Sequence, residues 1–340
     1  MSKKIIGGVK GFSRDRISSC SQELLSTRNG LYYNARSALY AVTQVSSIQR
    51  IWLPSFLCET ILYPFQRANL QCKYFAVDGR LQADFEQIPI QPGDAILLIS
   101  YFGVPVDDYV YTILKSKGAV IIEDLSQSFY VEPKSIADFT ILSLRKYFPV
   151  PDGGIVISHD ESVLYDWPYV AKEDTSFAHH SLEALAGRTL YDAGFTDSRE
   201  WFDVFQSAES SMPTGLHPMS NFTQAQMVGA IDFEDDRIQR ISNFNFLFSE
   251  LEAVSLIKDM KGSAPLGFPI TLDCRDAVRS TLFKHNIYPP IHWAIDGVVP
   301  DEYIESHQLA LQVMTLPCDG RYDIADMERM VAVLKGECGL

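Results

Sequence analysis

The sequence predicts an α/β protein: a large domain with a mainly parallel sheet between helices, then a small α+β domain toward the C-terminal end. Three observations predict it. The chain has 340 residues, more than a single hydrophobic core usually serves, so a larger and a smaller domain are expected. Short, wholly apolar β-runs alternate with helix-length amphipathic stretches through the first half, as in strands covered on both faces by crossover helices. That alternation stops after about residue 160, where Tyr, Trp, Phe and charged residues take over. The domains are expected at 1–235 and 236–340, the first including a helical stretch over about 160–215.

Element by element, strands are expected at 50–53, 72–77, 95–100, 119–123, 139–142 and 155–158, where β-branched and other apolar residues cluster between turn formers. Helices are expected between them at 37–44, 57–67 and 107–117. Residues 162–211 read as helices with a turn around 192–197, and 232–252 reads as one long helix. The small domain follows from strand-like runs at 266–271 and 313–316 with helical patterns at 275–285 and 323–334. There is no internal repeat, low-complexity tract or flexible linker, so the two domains are expected to pack closely.

Composition narrows the function classes. Apolar residues make up 46% and charged residues 21%, ordinary values for a globular chain. A formal net charge of −14 disfavours nucleic acid and anionic membrane as partners. It leaves room for an anionic small substrate, which needs only one local basic pocket. Cys20, Cys58, Cys72, Cys274, Cys318 and Cys338 show no CxxC pair and no histidine at metal-ligand spacing. They read as reduced thiols, with neither a disulfide frame nor a zinc site. The opening MSKKIIGGVKGFS lacks the apolar run of a secretory signal, and no apolar stretch has the length of a membrane span. Cytoplasm is the expected location.

Three segments carry candidate chemistry. Residues 121–128 form an apolar run ending in Glu123, Asp124 and Gln127. At the carboxyl end of a parallel strand Asp124 and Gln127 face a ligand crevice, while the plainer reading makes Asp124 a helix N-cap. Residues 138–156 place Ser143, Arg145 and Lys146 directly after a strand and lead to Gly153 and Gly154. A lysine there is either surface or a nucleophile among apolar groups. The paired glycines imply close backbone approach or positive φ. Residues 33–42 open a helix with Ala35, Arg36 and Ser37, where amides and side chains suit a phosphate or a plain N-cap.

Taken together, the helix start, the P-S-F-L-C loop at 54–58, the E-D-x-x-Q of 123–127, the step of seven residues from Lys146 to Gly153 and the tract Tyr101-Phe102-Gly103-Val104-Pro105 form one pattern. In order and spacing it resembles the DegT/StrS family of pyridoxal 5'-phosphate (PLP) enzymes, sugar aminotransferases of the aspartate-aminotransferase-like fold type I. The resemblance is strongest over residues 30–160 and implies a seven-stranded sheet. It further implies that Lys146 binds PLP as a Schiff base and moves the proton, and that Asp124 pairs with the pyridine nitrogen. Gln127 would bond the ring's 3-oxygen, and Ala35, Arg36, Ser37 and Ser143 would lie around the phosphate.

Two departures stand out. Where relatives place an aromatic ring against the cofactor, this chain has Cys58, with Phe56 two residues earlier. In relatives the serine sits further upstream of the lysine than Ser143 does, so the loop is shorter and Arg145 stands beside Lys146; its options are an anionic ligand or solvent. His217-Pro-Met-Ser-Asn-Phe222 resembles the segment that reaches across a dimer to the partner's PLP phosphate, through Ser220 or Asn221. Residues 232–243, with Arg240 and Asn243, resemble the helix joining the domains. His292 and Trp293 read either as pocket lining or as a packed loop.

The function implied is transfer of an amino group from glutamate or glutamine to a nucleotide-linked keto-sugar by a homodimer with shared sites, in polysaccharide or secondary-metabolite biosynthesis. The alternatives are a PLP enzyme of another outcome (elimination, aromatisation or non-sugar transamination) and a non-catalytic PLP-binding regulatory protein. Lys146 itself argues against the family's deoxygenating branch, whose members carry histidine there.

Overall fold

The computed structural model describes residues 5–8, 24–26, 28–160, 166–170, 176–229 and 231–340. Cys20, most of the opening segment and parts of the expected helical stretch (161–165 and 171–175) lie outside them. The elements in chain order are β1 (Ile6–Gly7), β2 (Gly30–Tyr32), α1 (Ala35–Val45), β3 (Arg50–Pro54), α2 (Leu62–Arg67), β4 (Gln71–Phe75), β5 (Ala95–Ile99), α3 (Asp108–Ser116), β6 (Val120–Asp124), β7 (Phe139–Ser143) and β8 (Gly154–Ser158). There follow α4 (Ser176–Asp192), α5 (Glu200–Ser210), α6 (Asn221–Gly229), α7 (Phe233–Leu251), β9 (Phe268–Thr271), α8 (Arg275–Lys284), β10 (Ile287–Tyr288), α9 (Ile304–Gln312), β11 (Val313–Leu316) and α10 (Ile324–Glu337).

Seven strands form the main sheet in the order β2-β8-β7-β6-β5-β3-β4. The pairs β4–β3, β3–β5, β5–β6 and β6–β7 are parallel, whereas β8 runs antiparallel to both β7 and β2. β5 and β7 are buried along their whole length, as strands with both faces covered must be. That is why β5 is a continuous apolar run and β7 is apolar apart from Thr140 and Ser143. All six strands expected in the first half are present within two residues of their expected ends. β2 is the strand the sequence did not announce. It has three residues, too few for a periodic signal, and its place at the sheet edge is set by pairing with β8.

The expected small-domain elements are also present. β9 and β11 pair antiparallel, from Phe268 with Leu316 to Thr271 with Val313, and α10 packs beside α7 and α8. α9 was not expected from the sequence. Between the sheets, the stretch read as helices with a turn holds α4 and α5, which pack against each other. The apolar core runs without a break from the main sheet into the C-terminal elements, from Leu97 and Ile121 through Leu247 to Met314 and Met330. The two parts therefore share one interior.

The carboxyl ends of β5, β6 and β7 meet the start of α1 on one side of the sheet. In an open parallel sheet this crevice is where ligands are held.

Candidate active site

A cavity of about 930 Å³ opens at that crevice, between the sheet, the α4–α5 pair and the C-terminal elements. Asp124, Gln127, Ser143 and Lys146 are on its wall, together with Ala35, Arg36 and Cys58. The sequence scattered these residues over more than a hundred positions; the strand ends bring them together.

Alternation along β6 sorts its two acids onto opposite faces. Glu123 is turned inward, accepting from the Tyr111 hydroxyl at 2.5 Å, the Thr140 hydroxyl at 2.8 Å and the Lys134 amide at 3.1 Å. Burial pushes its carboxyl up against those bonds. Asp124 faces the cavity, and its Oδ1 accepts from the Ser126 amide at 2.8 Å. So Asp124 both caps the next turn, as the plainer reading had it, and borders the cavity. Gln127 is nearly fully buried. Its Oε1 accepts from the Phe102 amide at 2.9 Å, which fixes the amide's orientation, while its Nε2 is buried with no partner among the described residues. A buried donor without an acceptor is costly, and a ligand oxygen would satisfy it.

β7 ends at Ser143, and the next three residues form a single tight turn, Leu144–Lys146. Lys146 is exposed to the cavity. The chain then reverses so that Gly154 pairs with Ser143 and the Leu144 amide donates to Gly153 O at 2.9 Å. The step of seven residues from Lys146 to Gly153 is the length of this reversal. Gly153 has φ of +126°, open to glycine and strained for other residues.

At the start of α1, Asn34 is the N-cap; its Oδ1 accepts from the Ser37 amide at 2.9 Å and its carbonyl from Ala38 at 3.1 Å. Ala35 and Arg36 are the first-turn residues that border the cavity. Burial lowers the Arg36 guanidinium, with Glu209 opposing and Arg145 adding to the shift. Ser37 is different from what the sequence suggested. It is fully buried, its amide is used by Asn34, and its hydroxyl faces the Gly215 amide, so it is not on the cavity wall.

Phe56 also departs from expectation. It is fully buried behind the cavity, packed against Tyr101 at 5.9 Å and Trp293 at 5.4 Å between ring centres. Cys58 does border the cavity, its Sγ 3.2 Å from the Thr60 hydroxyl. Trp293 and His292 come in from the C-terminal part as cavity wall. His292 Nδ1 lies 2.8 Å from the Thr315 hydroxyl. Burial, and then the charge of Lys146, push its ring down to about 3. Ser220 and Asn221 are not part of this chain's cavity wall. Ser220 binds the buried carboxylate of Asp152 through both amide and hydroxyl, at 2.9 and 3.0 Å. Asn221 is exposed at the first position of α6.

Arg145 is not left to solvent. Its guanidinium pairs with Glu209 of α5 and lies over the Phe177 ring, 5.2 Å from its centre. Glu209, Arg199, Arg279 and Arg321 on the wall were not singled out by the sequence, and no local pattern marks them. Among the described residues, six basic side chains border the cavity (Arg36, Arg145, Lys146, Arg199, Arg279 and Arg321) against the acids Asp124, Glu209 and Asp319. A chain of net charge −14 thus concentrates positive charge at one concave site, which raises the local concentration of anions.

The sheet order, the antiparallel β8 and the cavity at the strand ends define a fold-type-I α/β chain. No family model matches the sequence, and no curated protein matches it. Solved structures do. The sugar aminotransferase CalS13 from Micromonospora echinospora superposes with a TM-score of 0.66 at 14% identity, covering 93% of this chain and 89% of that one. PseC of Helicobacter pylori, an aminotransferase involved in the biosynthesis of pseudoaminic acid, gives 0.66 at 13%, with 99% and 100% covered. Spr1654 from Streptococcus pneumoniae, in a PLP-form, gives 0.63 at 14%, with 98% and 92% covered. This chain has the fold of those proteins over nearly its whole length.

Proposed function

We propose that this chain is a PLP-dependent sugar aminotransferase, which moves an amino group from glutamate or glutamine to a nucleotide-linked keto-sugar. One observation carries the reading: a buried carboxylate, a buried amide nitrogen with no partner among the described residues and a lysine converge on one cavity that also meets a helix start. PLP, when bound, supplies an electron sink that stabilises negative charge at the carbon bearing the amine. Asp124 would keep the pyridine nitrogen protonated. Gln127 Nε2, held in place by the bond from the Phe102 amide to Oε1, would donate to the ring's 3-oxygen. Ala35 and Arg36 would hold the phosphate at the start of α1.

Lys146 Nζ would hold the cofactor and, once released from it by the incoming amine, act as the base that takes the proton from the donor's α-carbon. His292, neutral at physiological pH because its ring is pushed down to about 3, adds no second positive charge beside Lys146. The basic lining supports an acceptor that carries phosphate groups. The likeness to sugar aminotransferases supports the sugar itself. A homodimer belongs to the same reading, with Ser220 or Asn221 reaching the partner's cofactor; of the two, the exposed Asn221 is the better placed. A cytoplasmic location belongs to the same reading.

The test is spectroscopic. Purified protein incubated with PLP is expected to show the visible band of a lysine-bound cofactor. Glutamate should bleach that band, and a nucleotide-linked keto-sugar should restore it. Cofactor bound but inert to every amine would turn the reading toward a regulatory protein, and no cofactor binding at all would overturn it.

A further inference from the structure

Arg145 stands beside Lys146 in the sequence, and both border the cavity. Three features of its surroundings bear on what it binds. Its side chain is only 15% exposed, so a charge pair there is screened less than one on the surface. Its guanidinium lies over Phe177 of α4, a contact that holds it in place whatever anion it meets. Its present partner is the carboxylate of Glu209, 38% exposed and in the last turn of α5. Arg36, also on the cavity wall, feels the charges of both Glu209 and Arg145.

We propose that Arg145 is the carboxylate-binding residue for the amino donor, and that Glu209 is an internal stand-in which the donor displaces. The proposal rests on the aminotransferase reading above. A planar guanidinium fork fits a carboxylate through two parallel hydrogen bonds. The group already seated on it is a carboxylate on a two-carbon stem, the same end group that a glutamate donor presents. Exchange of Glu209 for the donor keeps a carboxylate on Arg145, so its guanidinium is not left uncompensated. Glu209 has somewhere to go, since it is the more exposed member of the pair. The cofactor phosphate has its own seat at Ala35 and Arg36, whereas Arg145 stands in the turn that carries Lys146, where the donor's amine must arrive.

The test uses the PLP-loaded protein and glutarate, a dicarboxylate with no amino group, titrated by calorimetry. Arg145→Gln is expected to weaken glutarate about 10-fold or more, the worth of a charge-assisted hydrogen bond, with Arg145→Lys between it and wild type. Glu209→Gln is expected to tighten glutarate several-fold, because a competitor is removed. If Arg145→Gln does not fold, Arg145→Lys and Glu209→Gln carry the test. The proposal is overturned if wild type does not bind glutarate, or if glutarate affinity ignores both residues. It is also overturned if Glu209→Gln tightens inorganic phosphate on the cofactor-free protein while leaving glutarate unchanged; the seat would then belong to the phosphate. Failure of the protein to take up PLP would instead strike the underlying reading, so the two failures are distinguishable.

Discussion

Gly154 lies so close to Asn34 that a β-carbon on it would come within 2.1 Å of the Asn34 carbonyl carbon and oxygen and 2.6 Å of the Ala35 nitrogen. The first residue of β8 is thus pressed against the N-cap of α1. The Gly153 amide strengthens the junction by donating to Tyr33 O at 2.7 Å. These contacts lock the helix start to the reversal that carries Lys146, and so fix two parts of the site relative to each other.

Gly154→Ala is therefore expected to push the start of α1 away from the sheet. The colliding atoms are backbone and cannot rotate aside, so the cost should reach or exceed the roughly 1–3 kcal/mol of ordinary overpacking. Denaturant unfolding and PLP titration check this, and the substitution should lower both stability and cofactor affinity. Unchanged PLP affinity in a folded Gly154→Ala variant would show that the helix start does not hold the phosphate.

Lys146→Ala removes a side chain that is exposed to the cavity, so the fold should be kept, with a change in stability within about 0.5 kcal/mol. The visible band and all turnover should be lost. Asp124→Asn should retain some PLP but lose most of the rate, since an amide cannot keep the ring nitrogen protonated. Activity at the wild-type level in either variant would remove the role assigned to that residue.

Protonation of His292 gives a pH signature. The ring titrates near 6.5 when unperturbed and near 3 in the folded chain. Between these values the unfolded state binds more protons, so stability falls as the pH falls from about 6.5 toward 3. His292→Gln should reduce that slope, and a urea midpoint measured at pH 7 and again at pH 5 should drop less than in wild type. An equal drop in both proteins would mean that His292 takes up its proton over the same pH range folded and unfolded, so that burial does not push its ring down.

Arg240 is fully buried on α7. It pairs with Asp236 at 2.6 Å, lies over the Tyr147 ring at 4.6 Å and donates to Pro265 O at 3.0 Å. It thereby ties α7 to the residue after Lys146 and to the chain leading into β9. Arg240→Met leaves the Asp236 carboxylate without this partner and is expected to cost about 3–5 kcal/mol, read as a lower denaturation midpoint. A loss under 1 kcal/mol would show that the other contacts of the helix suffice.

Much of the fold was legible because its causes are local. β5 is apolar along its length, and β6 and β7 are mostly so, because both faces are covered, and that leaves a mark on any reading of the chain. The glycine at 153 was legible for the same reason, since glycine is favoured where φ is +126°, whereas the seven-residue step from Lys146 was read from the family resemblance. β2 and α9 left no such mark. β2 is too short for a period, and α9 is selected by the neighbours it packs against.

The site divides along the same line. Sequence by itself determined the sheet class and the order of the candidate site residues Asp124, Gln127 and Lys146, since motif spacing is set by strand and turn lengths. Only the tertiary structure decided which side chains face the cavity. It turned Phe56 and Ser37 inward, because a residue's face depends on what packs against it. It brought Glu209 to Arg145 across 64 positions, and among the described residues it gathered six basic side chains at one cavity in a chain of net charge −14. Contacts between residues distant in sequence depend on how helices and sheet pack together, and no local pattern encodes that packing.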